Sequence, residues 1–294
     1  MGPGGSRANS RVSAIRNVPR FLFNLVFPDD CRLCEQPLRN VSRVPVCPSC
    51  LVLPKPIEAE FACQTCRTPF ISPHALDHNG QCPVCRENTV NFDFAFAFGS
   101  YEGPLRKLIQ LFKYGKVESL ASTLSALLIR AIPRDQNFDI IVAMPMHWRK
   151  RWERGFNQAE LLARPVAKRY GLKLATNLRR ERYTPSQASL SEAARRQNVK
   201  GSFWVARPDE IAGKRVLLID DVFTTGATLR AAAAALKSAG AARVAALTLA
   251  RVDGRAPAAL HLDTDFSSTG LAPFRRALAN NDARRKVSAG SGIS

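Results

Sequence analysis

The sequence predicts an α/β protein: a mostly parallel sheet with helices between its strands, preceded by a small Cys-rich domain. Three observations carry this. Short apolar runs with polar neighbours recur at 139–144, 216–219 and 243–251, the pattern of strands buried on both faces. Helical spacing precedes and separates them, at 105–113, 117–132, 159–170 and 229–238. All eight cysteines lie between Cys31 and Cys85, ahead of these elements.

A chain of 294 residues has room for two domains and a sizeable core. With 46% hydrophobic residues it is globular rather than disordered. The net charge of +19 suits anionic partners, a nucleic-acid backbone among them, or simply solvated arginine; charge alone does not choose. No apolar run approaches the roughly 20 residues of a membrane span. The N-terminus carries Arg7, Arg11, Arg16 and Arg20 before FLFNLVF, whose apolar part is interrupted by Asn24 and followed by no small-residue cleavage site before Cys31. Residues 1–28 are therefore expected to be a flexible lead with a short amphipathic helix, and the cytoplasm is the default location.

The cysteines form four Cys-x-x-Cys pairs: Cys31/Cys34, Cys47/Cys50, Cys63/Cys66 and Cys82/Cys85. Twelve residues separate the first two pairs and fifteen the last two. Tetrahedral zinc takes four thiolates, and two such knuckles one hairpin apart supply them. The segment 29–88 thus reads as two zinc ribbons in tandem, with Pro48 and Pro83 inside knuckles. Disulfides would need an oxidising compartment, and a redox Cys-x-x-Cys is normally single. Spacing leaves open whether consecutive or interleaved pairs share a metal. His74 and His78 lie within the second ribbon but are not needed as ligands. Such small domains fold on metal.

Asn91 opens a new texture. FDFAFAFGSY alternates aromatic and small residues, as a strand does, and Tyr101–Pro104 reads as a turn. Leu105, Leu108, Ile109 and Phe112 then mark a helix ended by Tyr114-Gly-Lys116, and Val117–Ile132 another, closed by Pro133. After the strand at 139–144 comes Pro145-Met146-His147, then a dense basic turn with Arg149, Lys150, Arg151 and Arg154, then Gly155-Phe-Asn-Gln158 opening a helix. A basic loop at the C-terminal end of a parallel strand is where open α/β sheets place ligands. Leu178–Phe203 is polar, basic and long for a loop in a compact domain, which suggests a lid. Phe203–Ala206 reads as a strand, and 253–294 as a disordered tail.

The stretch VLLIDDVFTTGAT, residues 216–228, organises the rest: an apolar strand, two carboxylates, a Thr/Gly turn, then an alanine-rich helix. A turn that opens a helix presents unbonded N–H groups and the positive end of the dipole, which favour phosphate. Gly226 permits close approach, and Thr224, Thr225 and Thr228 add hydroxyl donors. Asp220 and Asp221 would repel phosphate but can accept from vicinal hydroxyls, so the pattern reads as a ribose 5-phosphate site rather than an ordinary capped helix.

These residues resemble the 5-phosphoribosyl-1-pyrophosphate (PRPP) signature of type I phosphoribosyltransferases. The resemblance implies that Asp220 and Asp221 hold ribose hydroxyls, that Thr224, Thr225, Gly226, Ala227 and Thr228 cradle the 5-phosphate, and that Val222 and Phe223 belong to the same PRPP-binding stretch, with Mg²⁺ accompanying PRPP. MPMHWRKRWERGFNQAELLA and the R-R-x-R-x-T-P-x-Q…R-x-x-N-V-x-G-x-F pattern resemble the ComF family, which joins zinc ribbons to a phosphoribosyltransferase domain and is associated with DNA uptake. That likeness implies a pyrophosphate loop of Pro145, His147, Arg149, Arg151, Arg154, Asn157 and Gln158. It also implies a flexible loop bearing Arg179, Arg180, Arg182, Thr184, Gln187, Arg196 and Asn198, and places the transferase domain at 91–252.

Two functions compete on this reading. One is transfer of a phosphoribosyl group from PRPP to an acceptor the sequence does not name. The other is a non-catalytic accessory that binds single-stranded DNA, or proteins of the competence machinery, through ribbons and basic surface; Phe61 and Phe70 are sparse stacking residues for that. A third, purely structural role gives the ribbons to oligomerisation.

Overall fold

The computed structural model describes residues 30–38, 42–87, 91–180 and 202–252; of Arg149 and Lys150 only the backbone is described. The helix expected within 1–28, the loop residues Arg182, Thr184, Gln187, Arg196 and Asn198, and the tail 253–294 lie outside the described residues.

The cysteine-bearing segment has little regular structure. It contains α1 (Pro48–Leu51), the two-residue strands β1 (Phe61–Ala62) and β2 (Pro69–Phe70), paired antiparallel, and α2 (Pro83–Arg86). Each short helix starts inside a knuckle, where proline at the first turn costs no hydrogen bond.

The sheet follows. Its strands are β3 (Phe94–Ser100), β4 (Ile140–Ala143), β5 (Lys173–Ala175), β8 (Arg215–Phe223) and β9 (Arg243–Arg251), in the order β3-β9-β8-β4-β5, every pairing parallel. The helices are α3 (Gly103–Lys113), α4 (Leu120–Ala131), α5 (Trp148–Arg154), α6 (Gln158–Tyr170) and α7 (Ala227–Ser238).

Apolar runs rather than alternation are what a sheet covered on both faces requires. Ile141, Leu217, Ile219, Leu247 and Leu249 join the core of α3, α4 and α6. Ile140, Val142, Val216, Leu218, Val244 and Ala246 join the opposite core, beneath α7. Cys31 and Cys50 belong to the first of these cores, and Cys63, Cys66, Cys82 and Cys85 to the second. The two cysteine groups therefore pack against opposite faces of one sheet. At the N-terminal strand ends, Asp139 takes Arg215 in a bidentate pair (2.7 and 3.0 Å), and Asp93 accepts from Val244 N–H (2.7 Å) and Lys237 Nζ.

Two expectations need correction. The basic segment after β4 is a helix, α5, not a turn, and it ends where Gly155 takes φ +87°. β8 does not stop at Ile219: its ladder with β9 runs on through Asp220↔Thr248 to Phe223↔Arg251, so the acidic pair lies within the strand. The strand expected at 203 is present and lies outside the main sheet. It is β7 (Phe203–Val205), paired antiparallel with β6 (Leu178–Arg180), and this ribbon brackets the long polar segment. The sequence carries no signal for β5, an edge strand of only three residues, too short for a periodic pattern.

Candidate functional site

The site forms where β4 and β8 end side by side. Ala143 pairs with Ile219, and Met144 N–H bonds Ile219 carbonyl at 2.8 Å, which sets the chain from Pro145 to His147 beside Asp220 and Asp221. Beyond β8, Gly226 adopts φ +73° as the N-cap of α7, and Ala227 N–H bonds Thr225 Oγ1 at 3.4 Å. The first helical bond runs from Arg230 N–H to Gly226 carbonyl, so the N–H groups of Thr228 and Leu229 have no intrahelical acceptor, as at any helix start. A Cβ at Gly226 would lie 2.7 Å from Phe223 Cζ, so the turn closes onto that ring.

The two carboxylates differ in surroundings. Asp221 Oδ1 meets Lys113 Nζ at 2.9 Å, with both side chains about six-sevenths buried. Asp220 Oδ1 accepts from Asp221 N–H at 2.9 Å. Burial, then the adjacent Asp221 charge, pushes Asp220 up to about 7, against the opposing pull of Lys113 and Arg180. Burial draws the Lys113 ammonium down, but Asp221 and Asp220 outweigh it and the net shift is upward. Arg180 is lowered by burial and held up by Asp220. Tyr101, at the end of β3, has its phenol raised by burial while Lys113 and Arg106 oppose.

The other expected residues sit as follows. His147 is buried with its ring against Trp148. Asn157 caps α6: its Oδ1 accepts from Ala159 N–H (3.1 Å) and its Nδ2 donates to Met144 carbonyl (3.0 Å), so its amide serves to fix the loop. Gln158 is buried; its Oε1 accepts from Arg154 Nη1 (3.3 Å), and its Nε2 has no hydrogen-bond partner among the described residues. The Arg154 guanidinium lies 5.1 Å over the Tyr114 ring, while Arg151 reaches Glu160 at 3.7 Å. Thr224 is exposed, Thr225 and Thr228 half-buried, and Arg179 faces outward on β6.

Lys113 and Tyr101 escape a reading of the sequence. A lysine at a helix C-terminus is ordinarily a dipole partner, and a tyrosine after a strand is ordinarily a turn residue. Only the return of β8 and β9 beside β3 brings them to Asp221.

In the cysteine segment, Cys31, Cys34, Cys47 and Cys50 form one group, and Cys63, Cys66, Cys82 and Cys85 another, with all Sγ atoms of a group within 4.8 Å of one another. Consecutive pairs therefore come together, which resolves the pairing that spacing left open. The Cys34–Cys47 and Cys66–Cys82 sulfurs are 3.8 Å apart. That is far beyond a disulfide and equals the edge of a tetrahedron with Zn–S of about 2.3 Å. Cys47 N–H points at Cys31 Sγ (3.3 Å) and Cys82 N–H at Cys63 Sγ (3.4 Å), donors that suit thiolates. Neighbouring thiols, Cys66 first, hold Cys63 far below the usual thiol range, while Cys85 is pushed far above it by Cys63 and the others. Four thiolates this close need a cation, and the donor set fits zinc; His74 and His78 are exposed and belong to neither group.

Fold and site together define the class: this chain carries a phosphoribosyl transferase domain, and the profile of that domain matches residues 157–270. Among relatives, Competence protein F of Haemophilus influenzae is 33% identical over 179 residues, covering 58% of this chain and 78% of that protein. DNA utilization protein YhgH of Escherichia coli K12 is 29% identical, covering 77% of this chain and 99% of its own. Competence protein ComFC of Bacillus subtilis is 28% identical, covering 79% and 88%. The chain belongs to the ComF family, that of Competence protein F. Among the described residues no helix is long and apolar enough to cross a membrane.

Proposed function

We propose that the protein binds PRPP with Mg²⁺ and transfers its phosphoribosyl group to an acceptor, with loss of pyrophosphate. The observation that carries this is the pair Asp220 and Asp221 at the C-terminal end of β8, followed directly by the Thr224–Thr228 turn at the start of α7. The carboxylates accept from the ribose 2- and 3-hydroxyls, while the turn N–H groups and the hydroxyls of Thr224, Thr225 and Thr228 donate to the 5-phosphate. The C1–O bond to pyrophosphate breaks as the acceptor's lone pair adds at C1. No covalent attack by the protein is required; its part is positioning and charge stabilisation. Arg149, Arg151, Arg154 and the Gln158 Nε2 donor would steady the leaving pyrophosphate, with Pro145, His147 and Asn157 holding that loop in place. Mg²⁺, when bound, would neutralise charge on the pyrophosphate and ribose oxygens. The polar segment between β6 and β7, with Arg179 and Arg180 at its root, would close over PRPP and exclude water. The two cysteine groups hold one structural Zn²⁺ each, and segment 29–88 supports a transferase domain of 91–252. A cytoplasmic setting agrees with eight cysteines arranged for metal and none in a disulfide.

The test is calorimetric titration with PRPP and Mg²⁺. Wild type should bind, and the double variant Asp220→Ala/Asp221→Ala should not, with zinc content unchanged. Undiminished affinity in the double variant removes the site. Pyrophosphate release across an acceptor screen then tests turnover.

A second reading has its own support. Trp148 and Trp152 are 66% and 87% exposed on the basic helix α5, a stacking surface for single-stranded DNA, where the ribbons offer only Phe61 and Phe70. Relatives bear the names DNA utilization protein and Competence protein. Salt-dependent DNA binding that is lost in Trp148→Ala/Trp152→Ala and unaffected by PRPP would favour it.

A further inference from the structure

Arg251, the last residue of β9, is 2% exposed and heads the largest fully buried side chains among the described residues. A guanidinium is buried only where its donors are used. Its Nη1 donates to the Cys66 carbonyl and its Nη2 to Thr68 Oγ1. Thr68 Oγ1 lies 2.9 Å from Cys66 Sγ. With Cys66 as a metal-bound thiolate, the only polarity this relay allows is Arg251 N–H to Thr68 oxygen and Thr68 O–H to sulfur.

The other side of Arg251 faces the proposed phosphate loop. Its guanidinium carbon sits 4.5 Å from the centre of the Phe223 ring, and Phe223 is its cross-strand partner, with Val252 N–H bonded to Phe223 carbonyl at 2.9 Å. Phe92 also packs on that ring, T-shaped at 6.1 Å between centroids. Gly226, the N-cap of α7, lies against the ring so tightly that a Cβ there would approach within 2.7 Å. Contact is thus continuous from Cys66 through Thr68, Arg251 and Phe223 to Gly226. The backbone reinforces it, since Ala95 N–H of β3 bonds Thr65 carbonyl at 3.0 Å. The first cysteine group packs into the opposite core.

We propose that Arg251 is a positioning residue that couples the metal centre of the second cysteine group to the ribose-phosphate loop, so that metal held there and ligand held at Gly226–Thr228 stabilise each other. A tetrathiolate zinc centre carries net negative charge, and the Arg251 cation reaches it through one hydroxyl. With metal bound, Arg251 is fixed and holds the Phe223 ring beneath Gly226. With metal lost, the Cys66–Thr68 turn loses its anchor and Arg251 loses its hold on these two acceptors. Binding linkage makes the effect reciprocal at equilibrium: ligand in the loop must tighten that metal by the factor by which the metal tightens ligand, and slower metal release is the expected kinetic consequence. The half of this inference that concerns the loop rests on the PRPP reading; the half that concerns the metal does not.

The experiment uses the full-length zinc-loaded protein. Native mass spectrometry counts the ions that remain after addition of a zinc chelator, with and without saturating PRPP and Mg²⁺. In Arg251→Met, one equivalent of zinc should leave about 10-fold faster or more and the other at the wild-type rate, as expected for loss of an outer-shell partner. PRPP should slow release of that equivalent in wild type and fail to do so in the variant. Arg251→Lys should restore the cation without the fork and recover only part of the protection. Thr68→Val, which removes one hydroxyl from the relay, serves if Arg251→Met does not fold, and should likewise speed release of one equivalent. Release of both equivalents at the wild-type rate, or equal acceleration of both, overturns the proposal. So does a wild type that binds PRPP without protecting either zinc. A wild type that does not bind PRPP defeats the proposed function instead, and the release rates without ligand then decide whether Arg251 supports the metal.

Discussion

Replacing Lys113 with methionine removes an ammonium from Asp221 while preserving the length of the side chain. At 2.9 Å the attraction is about 6 kcal/mol at an effective dielectric near 20. The pair's own desolvation offsets part of this, and breaking a buried pair from one side costs about 3–5 kcal/mol. The protein has an escape: with Lys113 gone, Asp220, already raised to about 7, rises further and takes up a proton, which relieves the repulsion between the two carboxylates. The loss should therefore depend on pH, at about 3 kcal/mol at pH 8.5 and about 1 kcal/mol at pH 6, where protonation costs little. Urea unfolding at the two pH values measures it. In the double variant Lys113→Met/Asp221→Asn the destabilisation should shrink, giving a coupling of at least about 1.5 kcal/mol. Stability of Lys113→Met within about 0.5 kcal/mol of wild type at both pH values would refute the reasoning, because the ion pair would not then exist in solution.

Asp220→Asn tests the raised carboxyl directly. A folded-state value near 7 against about 3.9 when unfolded means that the folded chain binds more protons between them, so this group adds stability as pH falls through 7 towards 4. Relative to Asp220→Asn, the Tm of wild type should therefore rise over that interval and be lower above pH 7.5; parallel pH profiles would count against it. Gly226→Ala should cost about 2 kcal/mol by chemical denaturation and weaken PRPP binding, since φ is +73° and the new Cβ meets Phe223; an unchanged Tm would mean the turn is looser than described. Metal analysis should return two zinc ions per chain, and complete chelation should lower Tm because both cysteine groups belong to cores of the sheet; one ion or none defeats the two-centre reading.

The sequence by itself determined the parts of this protein whose chemistry is local. Apolar runs such as 216–219 and 243–251 can only be strands covered on both faces, and four Cys-x-x-Cys knuckles can only be used in sets of four. The strand–Asp-Asp–Thr/Gly–helix order was likewise legible, because a phosphate turn is built from consecutive residues. What spans the chain was not. Consecutive rather than interleaved cysteine pairs, the extension of β8 through Asp221, and the departure of β7 from the main sheet all depend on which backbone lies alongside which. The helix α5 was hidden by its own charge, since a basic run gives no apolar periodicity to read. Lys113 and Arg251 were invisible as site residues for the same physical reason. Each is an ordinary terminal cation in its own element, and each acquires its role only when parallel pairing of β3, β9 and β8 buries it against a partner far away in sequence.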